Sequence, residues 1–175
     1  MKKFFAVLLI ALVAVSAFAS FEFDKTACEL GAYAGYSTGI FGAYEYDDSW
    51  TVGVFIETEA PFTSGSNFKD MHMGVNTYYT LYDNGSAKIS AGPVVSFNSK
   101  ELKTWALNVY AGLKAEYALS ETGSIFVGYD IPVVGLAFKG GDNQIESIKT
   151  YIEDLKKDTL KGFLYYGSVG FIYKF

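Results

Sequence analysis

The sequence predicts an all-β fold: an eight-stranded antiparallel, up-and-down transmembrane β-barrel with an amphipathic helix in its last extracellular loop. Three observations support this prediction. Half of the 175 residues are hydrophobic, yet after the N-terminal segment no stretch is apolar enough for a membrane-spanning helix. Large apolar residues instead alternate with small or polar ones along eight segments. The chain also ends on a bare aromatic residue, Phe175, in an alternating tail.

The N-terminal segment is organised as a secretory signal peptide. Lys2 and Lys3 precede an apolar run over residues 4–15, and Ala17-Phe18-Ala19 follows as an A-x-A cleavage site. We expect cleavage after Ala19, so that residues 1–19 are removed and residues 20–175 form one barrel domain. An uncleaved membrane anchor is the alternative, but the apolar run is short for a spanning helix.

Composition excludes several classes of function. All 14 basic residues are lysine and the net charge is -5, so there is no basic surface for nucleic acid. The lone Cys28 excludes an intramolecular disulfide and a cysteine-based metal site. The sequence has neither a phosphate-binding glycine loop nor clustered metal ligands, and we expect no metal and no cofactor.

The strands are identified by a two-residue period. In the stretch from Trp50 to Glu57 the even positions are large and apolar, whereas the odd ones are mostly small or polar. Several of the segments approach the roughly 9 to 11 residues that a tilted strand needs to cross a bilayer. The eight predicted strands are residues 28–36, 40–46, 50–59, 70–82, 86–97, 104–119, 124–134 and 162–175.

The connections predict the register. Three-residue turns are expected at 37–39, 47–49, 83–85 and 121–123, and Gly39, Gly85 and Gly123 would be their left-handed residues. These turns place apolar residues opposite apolar residues, which keeps one face apolar throughout. The predicted pairs are Tyr36 with Ile40, Tyr46 with Trp50, Leu81 with Ala87 and Leu119 with Ile125.

Loop length is expected to distinguish the two ends of the barrel. The longer connections at 60–69, 98–103 and 135–161 would lie at one end, and the tight turns at the other. The short first connection is an exception. Aromatic residues gather near the tight turns, where an interfacial girdle would sit: Tyr46, Trp50, Tyr117, Tyr173 and Phe175.

The second face of the predicted sheet combines glycine with charged and polar residues. Such a face suits the narrow interior of a membrane barrel, whereas a soluble ligand-binding barrel would turn its large apolar face inward. The predicted interior polar network consists of Glu45, Glu57, His72, Asn76, Lys88, Asn108, Lys114, Glu116, Asp130 and Lys174.

The C-terminal tail carries the most specific resemblance to a known class. Its alternating residues are Val169, Phe171, Tyr173 and Phe175. With the signal peptide and the seven earlier segments, the mature chain resembles small outer-membrane β-barrels of the OmpA and OmpX type. The resemblance implies a bacterial outer-membrane location, contact with outer-membrane lipid, a tail read by the assembly machinery, and a last strand that closes on the first.

The seventh connection predicts an amphipathic helix of about 12 to 15 residues. Asn143 would cap it with Glu146 three residues later, and its apolar face would be Ile145, Ile148, Ile152 and Leu155. Two interpretations stay open. The apolar face packs over the barrel mouth as a lid, or loop 135–161 docks an extracellular protein or surface partner, the membrane surface included.

The expected function is structural or interactive, without catalysis. A narrow pore for ions or small solutes is the second hypothesis, and a lipid-modifying enzyme is the third. If the third hairpin is symmetric about residues 64–65, Glu57 lies opposite His72 and could orient it. Lipid A deacylases of this class have a His-x-Ser arrangement, which His72-Met73-Gly74 does not match.

Overall fold

The computed structural model describes residues 24–35, 37–59, 71–100, 104–138, 147–158 and 166–175. These residues form eight strands: β1 (Cys28–Gly35), β2 (Ser37–Glu45), β3 (Trp50–Glu59), β4 (Met71–Asp83), β5 (Ala87–Lys100), β6 (Thr104–Ala118), β7 (Gly123–Ala137) and β8 (Gly167–Lys174). A 3-10 turn (Lys25–Ala27) precedes β1, and helix α1 (Ile148–Lys157) lies between β7 and β8. The predicted signal peptide and loop 60–69 lie outside the described residues.

The strands form a closed barrel in which every neighbouring pair is antiparallel. The barrel closes where β8 pairs with β1, with Tyr173 opposite Leu30 and Phe171 opposite Ala32. The predicted eight-stranded antiparallel barrel and its closure by the last strand are confirmed.

The register determines the tilt of the strands. A path that starts at Tyr117 on β6 and follows paired residues through every other strand returns to β6 at Leu107, ten residues along the chain. Because residues rise about 3.3 Å and strands lie about 4.8 Å apart, this offset tilts the strands by about 40° from the barrel axis.

Side chains divide between the two faces as the alternation predicts. Large apolar side chains are exposed on the outside, among them Leu30, Val54, Val75, Leu113, Val127 and Val169. Polar and charged side chains are buried inside, among them Thr51, Asn108, Lys114 and Glu116. The apolar face is therefore the outer face.

Three of the tight turns differ in detail from the prediction. The second turn is correct, since the Tyr46 amide donates to the Trp50 carbonyl at 2.8 Å. In the first hairpin the partner of Ile40 is Ala32, four residues before the predicted partner Tyr36. Tyr36 itself lies outside the described residues. In the sixth turn Ile125 pairs with Tyr117 rather than with Leu119. Both shifts are even, so each residue keeps its predicted face.

The fourth turn requires a compensating bulge. Gly85 and Ser86 form a two-residue turn closed by the Asn84 amide, which donates to the Ala87 carbonyl at 3.2 Å. Gly85 has φ of 81°, which is the left-handed conformation predicted for it, whereas Gly39 and Gly123 lie within β2 and β7. The predicted pair of Leu81 with Ala87 is wrong, because the register shifts between Thr80 and Tyr82. This bulge restores the parity that a two-residue turn alone would reverse.

The strands end at unequal heights. The predicted long fifth loop is wrong, because β5 and β6 pair as far as Lys100 and Thr104. β8 starts at Gly167 rather than at 162, and β7 extends to Ala137 rather than to 134. At about 2.5 Å of height per tilted residue, the wall rises about 35 Å along β6 and β7 but less than about 20 Å along β8 and β1. The barrel therefore has one low side, formed by β8, β1 and β2.

Helix α1 begins later than predicted. Ser147 is its N-cap and accepts a hydrogen bond from the Thr150 amide at 3.3 Å, so the predicted cap at Asn143 is wrong. Asn143, Ile145 and Glu146 lie outside the described residues. Lys156 and Lys157 in the last turn complement the helix dipole. No helix within the described ranges is long and apolar enough to cross a membrane.

Candidate functional site

The interior near the tight turns is joined by ion pairs between strands. Lys174 Nζ lies 3.0 Å from Glu29 Oε1 and 3.7 Å from Glu45 Oε1. Lys88 Nζ lies 2.5 Å from the same Glu45 oxygen. These contacts connect β8, β1, β2 and β5, so the predicted residues Glu45, Lys88 and Lys174 form one network.

A second interior ion pair joins two side chains of the same strand, β6. Lys114 Nζ is 2.5 Å from Glu116 Oε1, and their side chains are 8% and 3% exposed. The ammonium also lies 5.2 Å from the ring centroid of Tyr78, within the range of a cation–π contact. With Glu29, Glu45, Lys88 and Lys174, this pair makes a set of three carboxylates and three lysines that is neutral overall.

Glu29 belongs to this network but was absent from the predicted set. Its side chain is buried and faces Lys174 directly across the β1–β8 pair. The signal was present in the sequence, because Glu29 shares the parity of Gly31 and precedes the outward Leu30.

Aromatic rings fill the middle of the interior, which the sequence did not predict. Phe55, Tyr78 and Tyr110 are buried in one cluster, against which Phe41 packs. Phe126 meets Phe41 edge-on at 5.7 Å between ring centroids. The inward glycines make room for these rings, since a Cβ at Gly74 would lie only 2.5 Å from Phe55 Cζ.

Glu57 is the centre of a polar cluster nearer the loop end. Its Oε1 lies 3.3 Å from His72 Nδ1, which confirms the predicted pairing of these two residues across the third hairpin. Its Oε2 accepts hydrogen bonds from the Tyr33 and Ser37 hydroxyls, each at 2.6 Å. The Ser37 hydroxyl therefore donates to the carboxylate and not to the imidazole, so this group is not arranged as a serine nucleophile with a histidine base.

A cavity of about 120 Å³ lies between the polar cluster and the aromatic rings. Glu57, His72, Asn76, Lys114 and Asp130 contribute to its wall. The volume has room for a few water molecules, and its polar wall offers them partners. The predicted interior residue Asn108 is fully buried and pairs with Ser96, which lines the cavity.

In the part of the chain that the structure describes, no group of three or more His, Cys, Asp or Glu side chains is placed to hold a metal ion. Glu29, Glu45 and Glu116 are instead paired with lysines.

A belt of aromatic residues surrounds the outside of the barrel at the tight-turn end. The five predicted residues are exposed there, and Tyr82 on β4 joins them. From the register and a tilt of about 40°, all six lie within about 5 Å of a common level. We refer to Tyr46, Trp50, Tyr82, Tyr117, Tyr173 and Phe175 as the aromatic belt.

The C-terminal tail belongs to the outer surface. Val169, Phe171, Tyr173 and Phe175 are all exposed. The Phe175 amide donates to the Cys28 carbonyl at 3.2 Å, so the chain end continues the pairing of β8 with β1. Recognition of this tail by an assembly machinery stays a prediction.

Helix α1 contacts the barrel through polar and aromatic groups. The Tyr151 hydroxyl lies 3.3 Å from that of Tyr129, and its ring centroid lies 5.2 Å from that of Tyr166. The Tyr166 hydroxyl donates to Asp154 Oδ2 at 3.4 Å. Ile148 and Ile152 are 53% and 44% exposed, so the first of the two interpretations, a lid that buries the apolar face over the barrel mouth, is wrong for these two residues. Leu155, also on the predicted face, is half-buried, and Ile145 lies outside the described residues.

Comparison of the sequence with protein-family models, curated proteins and solved structures found no match.

Proposed function

We propose that the protein is an integral β-barrel of the bacterial outer membrane with a structural or surface-contact role and without catalysis. Both termini of the barrel would face the periplasm, since β1 starts and β8 ends at the tight-turn end. The outer face would contact outer-membrane lipid, and Val169, Phe171, Tyr173 and Phe175 would be read by the assembly machinery. The resemblance to barrels of the OmpA and OmpX type belongs to this proposal.

The observation that carries the proposal is the outer surface. Large apolar side chains are exposed along the strands above the aromatic belt. Monomeric soluble proteins rarely expose contiguous apolar patches larger than a few hundred Å². An apolar band bordered by an aromatic girdle is typical of barrels whose outside touches lipid.

The interior supports the same proposal. A water-soluble barrel of this size places its large aliphatic side chains inside, whereas this one exposes large aliphatic side chains on its outer face and places paired lysines and glutamates inside, beside its aromatic rings. Charges removed from water are costly unless they are paired, and the three lysines and three glutamates of these ion pairs each have a partner of opposite sign. An inside-out arrangement of this kind is stable only if the outside is not in water.

Folding in lipid tests the proposal. The mature chain, refolded into detergent or lipid vesicles, should migrate differently on a gel before and after boiling, and should show strong β circular dichroism only in the presence of lipid or detergent. The same chain diluted into plain buffer is the control. A protein that folds fully in that buffer would contradict membrane insertion and would point to a soluble barrel.

A narrow pore is the second candidate, and the interior cavity is the observation in its favour. The path toward the tight-turn end is obstructed by the aromatic cluster and the ion-pair network, and an eight-stranded barrel has an interior only wide enough for side chains. We therefore expect planar bilayers that contain the protein to show no stepwise conductance. A large porin in the same bilayers verifies that insertions are detected, and reproducible steps from the refolded protein would favour the pore.

The lipid-modifying enzyme is the weakest of the three hypotheses. The His72 side chain is mostly buried inside the barrel, and its Nδ1 lies 3.3 Å from Glu57 Oε1. A catalytic group that acts on membrane lipid would need to reach the outer wall. The inward position of His72 therefore favours a role in the interior network.

A further inference from the structure

Helix α1 presents three different faces. Tyr151 and Asp154 form the face that contacts the barrel. At 100° per residue, Ile148 and Ile152 lie about 110° from this face around the helix axis. Lys149 and Glu153 form a charged face about 100° beyond the two isoleucines in the same direction around the axis. The apolar face therefore lies between the barrel contact and this charged face.

The helix packs against β7, where that tall strand meets the low side of the barrel at β8. Tyr129 faces outward near the middle of β7, opposite Gly167, where β8 begins. From the rise per residue and the strand tilt, Tyr129 lies about 13 Å above the aromatic belt. The adjacent upper ends of β8 and β1 lie about 16 Å above the same belt. The apolar band of an outer-membrane barrel is about 25 Å tall. A helix attached at Tyr129 and Tyr166 is therefore within the depth of that band.

The size and charge of the exposed face favour lipid over a protein partner. Two isoleucines cover far less than the roughly 800 Å² that each partner buries in a stable protein interface. The flanking charges are opposite in sign and paired, with Lys149 Nζ 4.0 Å from Glu153 Oε1 and Lys157 Nζ 3.9 Å from Asp154 Oδ1. The helix thus offers no charged patch for a complementary partner, but it has the narrow apolar stripe of a helix that lies in a membrane interface.

We propose that α1 lies in the outer leaflet beside the low wall, with Ile148 and Ile152 among the lipid acyl chains and Lys149 and Glu153 toward water. This inference rests on the proposed membrane insertion of the barrel. The helix would complete the lipid-facing surface above β8 and β1, where the strands end below the top of the bilayer.

Site-directed spin labels test the position of the helix. In a Cys28→Ser background, single cysteines would replace Ile148 or Ile152, with Lys149→Cys and Glu153→Cys as matched controls on the charged face. Val54→Cys reports on the outer wall of the barrel. Accessibility to oxygen, which concentrates in lipid, is compared with accessibility to a water-soluble nickel complex in refolded vesicles.

We expect labels at 148 and 152 to show an oxygen-to-nickel ratio close to that at 54 and several-fold above the ratio at 149 and 153. Equal exposure to nickel at 148, 152, 149 and 153, with a lipid signal at 54, would overturn the inference and leave the barrel inserted. Shielding of 148 and 152 from both reagents would assign that face to a protein contact. A nickel-accessible label at 54 would instead overturn the membrane insertion itself.

Discussion

Replacement of Val75 by lysine is expected to destabilise the barrel in a bilayer by about 2–4 kcal/mol. Val75 points outward from β4, is 50% exposed and is flanked by the outward Val54 and Val95 on the neighbouring strands. It lies about 14 Å above the aromatic belt, close to the middle of an apolar band about 25 Å tall. A lysine there would have to carry its charge into lipid. Equilibrium unfolding in urea with vesicles measures the loss.

Tyr82→Lys is the matched control for this effect. Tyr82 is equally exposed on the same strand but lies in the aromatic belt, where a lysine can reach water. We expect a cost of about 0–1 kcal/mol there. In a water-soluble barrel both positions would be ordinary surface sites, and each substitution would change stability by no more than about 0.5 kcal/mol. Similar, small losses at the two positions would therefore contradict a lipid-facing outer wall.

The alternation of the sequence was sufficient to predict the barrel because parity is insensitive to small errors in register. The predicted first and sixth turns are misplaced, yet the observed partners of Ile40 and Ile125 differ from the predicted partners by four and by two residues, both even numbers. The outer face therefore stayed outer, and Glu57 was correctly placed opposite His72. A two-residue period predicts which face of the sheet a residue lies on more reliably than it predicts the residue opposite on the neighbouring strand, because an even register shift leaves the face unchanged.

Other features depend on information that the pattern does not contain. The bulge at Leu81 compensates for a turn one residue shorter than predicted, and neither is visible from the alternation alone. The alternation does not predict the inward aromatic residues, such as Phe55 and Tyr110, because it assigns large apolar residues to the outer face. Space for them is created by the inward glycines, so the packing depends on pairs such as Gly74 with Phe55 on neighbouring strands.

The orientation of α1 could not be read from its sequence either. The spacing of Ile148, Ile152 and Leu155 correctly indicates an amphipathic helix, but it leaves open whether the apolar face packs over the barrel mouth as a lid or docks a partner or the membrane surface. The barrel contact is made instead by Tyr151 and Asp154, because Tyr129 and Tyr166 offer hydroxyl groups at the edge of the low wall. Which face of the helix docks is decided by these partners, which are distant in sequence from Ile148.

Replacement of Lys174 by methionine is expected to cost about 3 kcal/mol, at the lower end of the 3–5 kcal/mol typical for breaking a buried pair. Lys174 is the cation that joins the last strand to both Glu29 and Glu45. Without it, Glu29, which is only 3% exposed, would keep a negative charge inside the barrel with its cross-strand partner gone. Urea unfolding of the refolded protein in vesicles measures the change, and Lys149→Met on the exposed face of α1 is the control for loss of a lysine.

A double-mutant cycle separates the ion pair from other effects of this substitution. In the Glu29→Gln background the stranded charge is absent, so Lys174→Met should cost at least about 1 kcal/mol less than it does alone, within the range of coupling seen between contacting residues. Glu45 still has Lys88 at 2.5 Å and should tolerate the change. If the two substitutions were simply additive, the pair would contribute no coupling, and the closure of β8 on β1 would depend on the backbone ladder and the outer aromatic residues instead. If the double variant were more stable than Lys174→Met alone, the buried carboxylate of Glu29 would be identified as the group that the lysine must neutralise for the barrel to close.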